Sequence, residues 1–232
     1  MNFLSSNLDT DLYETLNTPT YPLAEASRLT GISRWRISRW LRGYSYDGGE
    51  QGPVIRRSIP PESTYVSFLD LIELLFVKEF LMRKFSLQLI RKALEEARNY
   101  LRTPHIATKK FFTSGDKIIL ELSDNEMVAL LTGGQRAMGM IIEQLYNKLD
   151  FEDVTEFGFA RRWYPRGKNG LIVIDPKKSF GRPTLIGHSV ATHNIYDLYL
   201  GENKKSEPVS EWFNIPVNKI KIAVQFEHSL WG

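Results

Sequence analysis

The chain has 232 residues, 42% of them hydrophobic and 25% charged, and a formal net charge of +3. That is the composition of a folded protein with one large core or two small ones. There is no cysteine, so disulfides, thiolate metal sites and a cysteine nucleophile are excluded.

Residues 1–20 read as a flexible arm with one short helix near Asp11 to Leu16, ended by Thr18-Pro19-Thr20. The acidic start lacks the basic and apolar blocks of a secretory signal. No apolar run is long enough to cross a bilayer. A cytoplasmic protein is expected.

The next stretch, Tyr21 to Gly43, organises the chain. Pro22 suits a first helical turn, and Leu23, Ala26 and Leu29 form one apolar stripe. Gly31 supplies the positive φ of a helix end. Ile32 tucks the turn inward. Ser33 is placed to cap a second helix, Arg34 to Arg42. On a 100° wheel Ile37, Trp40 and Leu41 face one way. Trp35, Arg39 and Arg42, flanked by Arg36 and Ser38, face the other. One face is core, and the other is cationic and long-armed. A helix-turn-helix that reads DNA needs that division, because arginine reaches phosphates and the guanine edge. A solvated basic helix would lack the capped turn and the apolar back. Residues 21–60 hold seven arginines, no lysine and three acids, a local charge of +4.

Turn signals at Asp47-Gly48-Gly49 and Gly52-Pro53 flank two extended pieces, Tyr44 to Tyr46 and Val54 to Ile59. They predict a β-hairpin wing with Arg56 and Arg57 on the return strand, beside the backbone or minor groove. The expected DNA-contact set is Ser33, Arg34, Trp35, Arg36, Ser38, Arg39, Arg42, Arg56 and Arg57. Two helices follow over residues 67–102, capped by Ser67 and Ser86, and Thr103-Pro104 closes the segment.

The order of helix-turn-helix, wing, helix and helix resembles the MerR-type winged helix-turn-helix over residues 21–103. The matching positions are Ala26, Gly31, Ser33 and Trp40, then Val66-Ser67-Phe68 with Asp70-Leu71, then Phe85-Ser86-Leu87 with Ile90. The long coiled dimerisation helix of that class is missing after residue 102. Its cysteine metal-sensor positions are missing too, so no metal is expected.

Residues 104–165 read as a connector that could serve dimerisation. Lys109 to Leu122 alternates around Ser114-Gly115-Asp116, which predicts a second hairpin. Ser123 is placed to cap a helix through Leu131, and Gln135 to Leu149 is another helix. Thr132-Gly133-Gly134 lacks the lysine and the spacing of a phosphate loop. Phe157 to Tyr164 reads as a strand between domains.

Residues 166–232 predict a buried strand at Leu171 to Ile174, a glycine-punctuated stretch at Gly181 to Val190, and three short helices at about 193–200, 207–213 and 217–229. Gly201 is expected to end the first and Asn218 to cap the last. Asp175, Pro176, Gly181, Pro183, Ile186, Gly187, Val190, Gly201 and Phe213 match a small helical family found in type II antitoxins. His188 and Ser189 depart from its pattern. A MerR-like reader joined to this domain resembles the larger VapB-type antitoxins. That resemblance implies a PIN-like ribonuclease toxin as partner beside double-stranded DNA, and a homodimer is expected because one recognition helix contacts too few base pairs.

The expected fold is therefore mainly α with small β hairpins, an α+β chain of a winged domain and a small three-helix domain. His105, His188, His193 and His228 are scattered, and no hydrolase or zinc-protease spacing occurs. No enzyme activity and no cofactor is expected. The alternative to an antitoxin is a MerR-like regulator with a ligand-binding C-terminal region.

Overall fold

Two short strands, β1 (Tyr21–Pro22) and β4 (Tyr65–Val66), pair antiparallel with Tyr21 opposite Val66. They bring the two ends of the segment 21–66 together, so everything between them is one excursion from the core. The computed structural model describes residues 11–57, 59–60, 62–103, 105–113, 134–153 and 157–231. The chain divides into two compact units, Met1–Ala160 and Arg161–Gly232.

In the first unit, residues 11–17 form a helix, α1, whose Leu12 and Leu16 are buried. The short helix expected near Asp11 to Leu16 is there, and it is docked through those leucines. After β1 come α2 (Leu23–Thr30) and α3 (Arg34–Arg42). The hairpin β2 (Tyr44–Tyr46) and β3 (Gly49–Gln51) turns through Asp47-Gly48. Expectation placed the return strand at Val54 to Ile59, and the structure moves it forward to Gly49–Gln51. Val54 and Ile55 are not in a strand. Their amides both donate to the Trp40 carbonyl, at 2.8 and 3.0 Å, and their side chains are buried. They fasten the hairpin to the end of α3.

The centre of the unit is α4 (Phe68–Met82). Every residue from Phe68 to Val77 is buried, acids included. A helix apolar all round has to be enclosed on all sides. Ser67 accepts the Asp70 amide while the Asp70 carboxylate accepts the Ser67 amide, a capping box. Ser86 caps α5 (Leu87–Leu101) by accepting from Leu89. Both caps were legible in the sequence.

Burying acids requires partners. Glu73 accepts from Arg98 at 2.6 Å and from the Ile106 amide at 2.8 Å, and it lies 3.1 Å from His105 Nδ1. The other His105 nitrogen lies 3.1 Å from Asn17 Oδ1. One cluster thus joins α1, α4, α5 and the segment after α5. Burial alone would raise the Glu73 pKa. Arg98, His105 and the Ile106 amide outweigh it and hold the carboxyl below its ordinary range. Asp70 goes the other way. Burial raises it further than Arg57 and the Ser67 amide lower it, and its Oδ1 is buried without a partner.

Residues 109–113 are helical (α6), which corrects the hairpin expected from Lys109 onward. Neighbours in a strand point to opposite faces, yet Phe111 and Phe112 are both buried. A helical turn, capped by Thr108 accepting the Phe111 amide, lets both enter one aromatic cluster with Phe76, Tyr146 and Phe151. The rest of that hairpin and the helix expected from Ser123 to Leu131 lie outside the described residues. The helix α7 (Gly134–Tyr146) buries Ile141, Ile142 and Leu145, and β5 (Leu149–Phe151) follows.

The strand β6 (Ala160–Trp163) begins on the last residue of the first unit. In the second unit it pairs with β7 (Ile172–Ile174) at Trp163 and Ile174, and β7 pairs with β8 (Pro183–Leu185). Three helices follow: α8 (Thr192–Gly201) and α10 (Val217–Trp231) pack against β8, and α9 (Ser206–Phe213) packs on those two helices. Gly201 is the last residue of α8 and not its terminator, and Asn218 lies inside α10. The Lys219 and Ile220 amides run back to Pro216 and start that helix.

Candidate nucleic-acid interface

The pair α2–α3 is built as its residue types require. Gly31 ends α2 at φ +66°, and its amide returns to Ser27. The Lys78 ammonium donates to the Thr30 carbonyl at 2.7 Å, a cation on the negative end of α2. Ser33 caps α3 by accepting the Arg36 amide at 3.4 Å. Ile37, Trp40 and Leu41 are buried, so one side of α3 is core.

The opposite side carries the cations. Arg34, Trp35, Arg36 and Arg42 are exposed, while Ser38 and Arg39 are half-buried. Trp35 is 63% exposed and Trp40 5%, so two tryptophans on one short helix have opposite roles. The Arg39 guanidinium lies over Trp35 at 4.3 Å and over Tyr44 at 3.3 Å. It is held between two rings, one from α3 and one from β2, by cation–π attraction. Arg42 donates to the Glu62 and Ser63 carbonyls at 3.2 and 3.1 Å, which ties the end of α3 to the approach to β4.

The structure places both wing arginines after the return strand and corrects the expectation for Arg57. Arg57 does not face solvent. Its side chain is 2% exposed and pairs with Asp70, itself at 0%, over 3.1 Å, and it also donates to the Tyr65 carbonyl. Arg56 is exposed and pairs with Glu95 on α5. Arg57 reads in sequence as a free cation because its partner lies thirteen positions away, inside the capping box of α4.

Residues missed in sequence reasoning complete the surface. Tyr44 forms one wall of the Arg39 slot, and Tyr46, 55% exposed, extends the same face of the hairpin. An aromatic pair at alternate positions directly after Gly43 was the available signal. Gly43 itself sits at φ +79°, ψ −169°, a region that essentially only glycine enters. A Cβ there would stand 2.3 Å from the Gln51 carbonyl oxygen. This contact sets the hairpin against α3. A groove of about 590 Å³ lies alongside, with Ile32, Leu81, Met82 and Leu87 in its wall and Arg36 and Arg39 at its edge.

No protein-family model matches the chain. Two proteins of Mycobacterium tuberculosis (strain ATCC 25618 / H37Rv) are similar over most of their lengths. Uncharacterized protein Rv2308 is 23% identical over 231 residues, 94% of each chain. A protein named "Putative antitoxin VapB45" is 23% identical over 205 residues, 81% of this chain and 85% of that one. The X-ray crystal structure of Rv2018 from Mycobacterium tuberculosis matches with a TM-score of 0.65 at 17% identity, covering 90% of this chain and 98% of that one. That likeness establishes a shared fold across nearly the whole of both chains.

Proposed function

We propose that this chain is a sequence-specific DNA-binding antitoxin that neutralises a PIN-like ribonuclease toxin and regulates its own operon as a homodimer. The observation that carries DNA binding is the outer face of α3. It presents Arg34, Arg36, Arg39 and Arg42 with no acid on the helix, and it is backed by a buried apolar face. Charge alone would fit any anion. The Arg39 slot adds direction, because a guanidinium fixed between two rings presents its donors in one plane. Planar donors suit the guanine O6/N7 edge or a phosphate. Arg57 is left out of this surface. Ser33 serves it as a helix cap.

A homodimer belongs to this reading because one recognition helix touches few base pairs, and operators commonly mirror a protein two-fold. The antitoxin role rests on the similarity to a relative of that name and on the motif resemblance of the C-terminal segment. Co-expression of the tagged chain with the neighbouring open reading frame tests it. A small PIN-like protein should co-purify, and the complex should bind the promoter DNA of the pair. Recovery of this chain alone, as a nucleic-acid-bound dimer, would instead favour a MerR-like regulator.

A further inference from the structure

We propose that the turn at Lys177–Arg182 is a docking epitope for the acidic protein partner, with Phe180 entering an apolar socket whose rim carries carboxylates. The proposal rests on the antitoxin reading and names the surface that would meet the toxin.

Ser179, Phe180 and Gly181 have φ of +47°, +54° and +72°. Three successive residues are left-handed, and two of them carry a Cβ, a conformation that costs L-residues energy at each step. At the centre, Phe180 is 86% exposed, more than any other large apolar side chain among the described residues. Strained backbone persists only where its surroundings fix it, and such outliers gather at functional sites.

Here the surroundings do fix it. Asp175 accepts the Lys177 amide on Oδ1 at 3.0 Å and the Lys178 amide on its carbonyl at 2.8 Å. Its Oδ2 is held by Arg162 at 2.8 Å. The Gly181 and Arg182 amides close back on Lys178 and Ser179 at 2.9 and 3.1 Å. The Ser179 hydroxyl donates to the Ser189 carbonyl. The turn is held on both sides of Phe180 by these hydrogen bonds. Linking β7 to β8 does not require an aromatic residue in solvent, yet the structure holds one there.

Aromatic and arginine side chains on pre-formed surfaces are the residue types that dominate protein interfaces. Lys177, Lys178 and Arg182 flank Phe180 and are exposed, with Arg182 Nη1 3.0 Å from His193 Nε2. No acid occurs between Asp175 and Asp197. Charge complementarity therefore selects an acidic protein surface. A phosphate backbone would satisfy the three cations and leave the phenyl ring in water.

The test uses the full chain co-expressed with the neighbouring open reading frame, in four forms: wild type, Phe180→Asp, Phe180→Gly, and Lys177→Glu/Lys178→Glu/Arg182→Glu. Binding of the purified partner is measured by calorimetry, and duplex binding by anisotropy. Each variant should weaken the protein complex about 30-fold or more, as hot-spot residues do, with duplex affinity unchanged. Phe180→Gly should also raise the melting temperature, because it removes strain together with the ring. Undiminished complexes, a lower melting temperature for Phe180→Gly, or duplex affinity lost in parallel would each overturn the epitope. If the wild type captures no partner, the antitoxin reading fails and the epitope goes with it. A wild-type complex that the variants leave intact removes the epitope alone.

Discussion

Arg39 and Arg57 are the same side chain in opposite surroundings. Arg39 is stacked and half-open, so its donors remain available. Replacing it with alanine should weaken operator binding by about 1–3 kcal/mol, the worth of a good base-edge contact, and leave the melting temperature nearly unchanged. Arg57 is buried against Asp70. Arg57→Ala leaves a carboxylate enclosed without its partner and should cost about 3–5 kcal/mol of stability, while folded protein keeps its duplex affinity. Anisotropy and thermal melts on both variants give the crossed result. Glu73 supplies the pH dependence. Its folded pKa lies below its ordinary value of 4.5, so the unfolded chain takes up the proton first as pH falls. Its stabilisation is present above that value and is lost as pH falls through the lower folded one. Asp70, raised by burial, has the opposite sign. Its contribution is full below its ordinary value of 3.8 and fades as pH rises through the folded one. Glu73→Gln should therefore remove part of the fall in the urea midpoint that sets in as pH drops below its ordinary value of 4.5, and an unaltered acid limb would show that Glu73 is not its source.

The elements differ in how far they could be read from sequence. The run α2, Gly31, Ser33 and α3 was legible because each part is local: an apolar stripe, a left-handed glycine and a serine cap. The same holds for the caps at Ser67 and Ser86. The wing was half legible. Its turn signals were real, but the return strand was placed at Val54 to Ile59, because an apolar run resembles a strand until its amides are found on the Trp40 carbonyl. The helical turn at residues 109–113 was missed for a related reason. Alternation in KKFFTSGDKIILEL suggested a strand, whereas the burial of two adjacent phenylalanines in one cluster is a tertiary demand that local pattern does not show. The slot around Arg39 needed both α3 and β2 in place; the alternating Tyr44 and Tyr46 after Gly43 hint at it, but only the docked hairpin brings Tyr44 over the guanidinium. Gly43 is where these elements are joined. Gly43→Ala drives a Cβ onto the Gln51 carbonyl and should shift the hairpin, so Tyr44 leaves Arg39. Duplex affinity should fall by an amount similar to Arg39→Ala, with the ends of α3 still protected in hydrogen exchange. Full affinity in that variant would mean the hairpin does not position the arginine.

Across the whole molecule, charge is unevenly divided. Residues 161–232 carry eleven lysines and arginines against six acids, a net of +5, which leaves −2 for residues 1–160. The arginines of α3 thus stand out from a unit that is acidic as a whole. If all four meet phosphates, the log–log dependence of duplex binding on salt should have a slope of about −3 to −4 per chain, near −0.9 for each phosphate neutralised. Reversing the cations around Phe180 should leave that slope unchanged. A slope near zero in the wild type would rule out an interface built on arginine.

The polar cluster around Glu73 also bears on time. Asn17, Glu73, Arg98 and His105 come from four segments spread over nearly ninety residues, so the cluster closes only after all four have docked. Contacts that form only after the folding barrier are broken on the way out, and Glu73→Gln should then speed unfolding with little change in the folding rate. Such contacts leave the rate of reaching the native state almost untouched and lengthen the stay in it. Glu73 would act in this way as a latch on the lifetime of the first unit. The persistence of α1 on the core is then governed by how often that latch opens as much as by the two leucines beneath it.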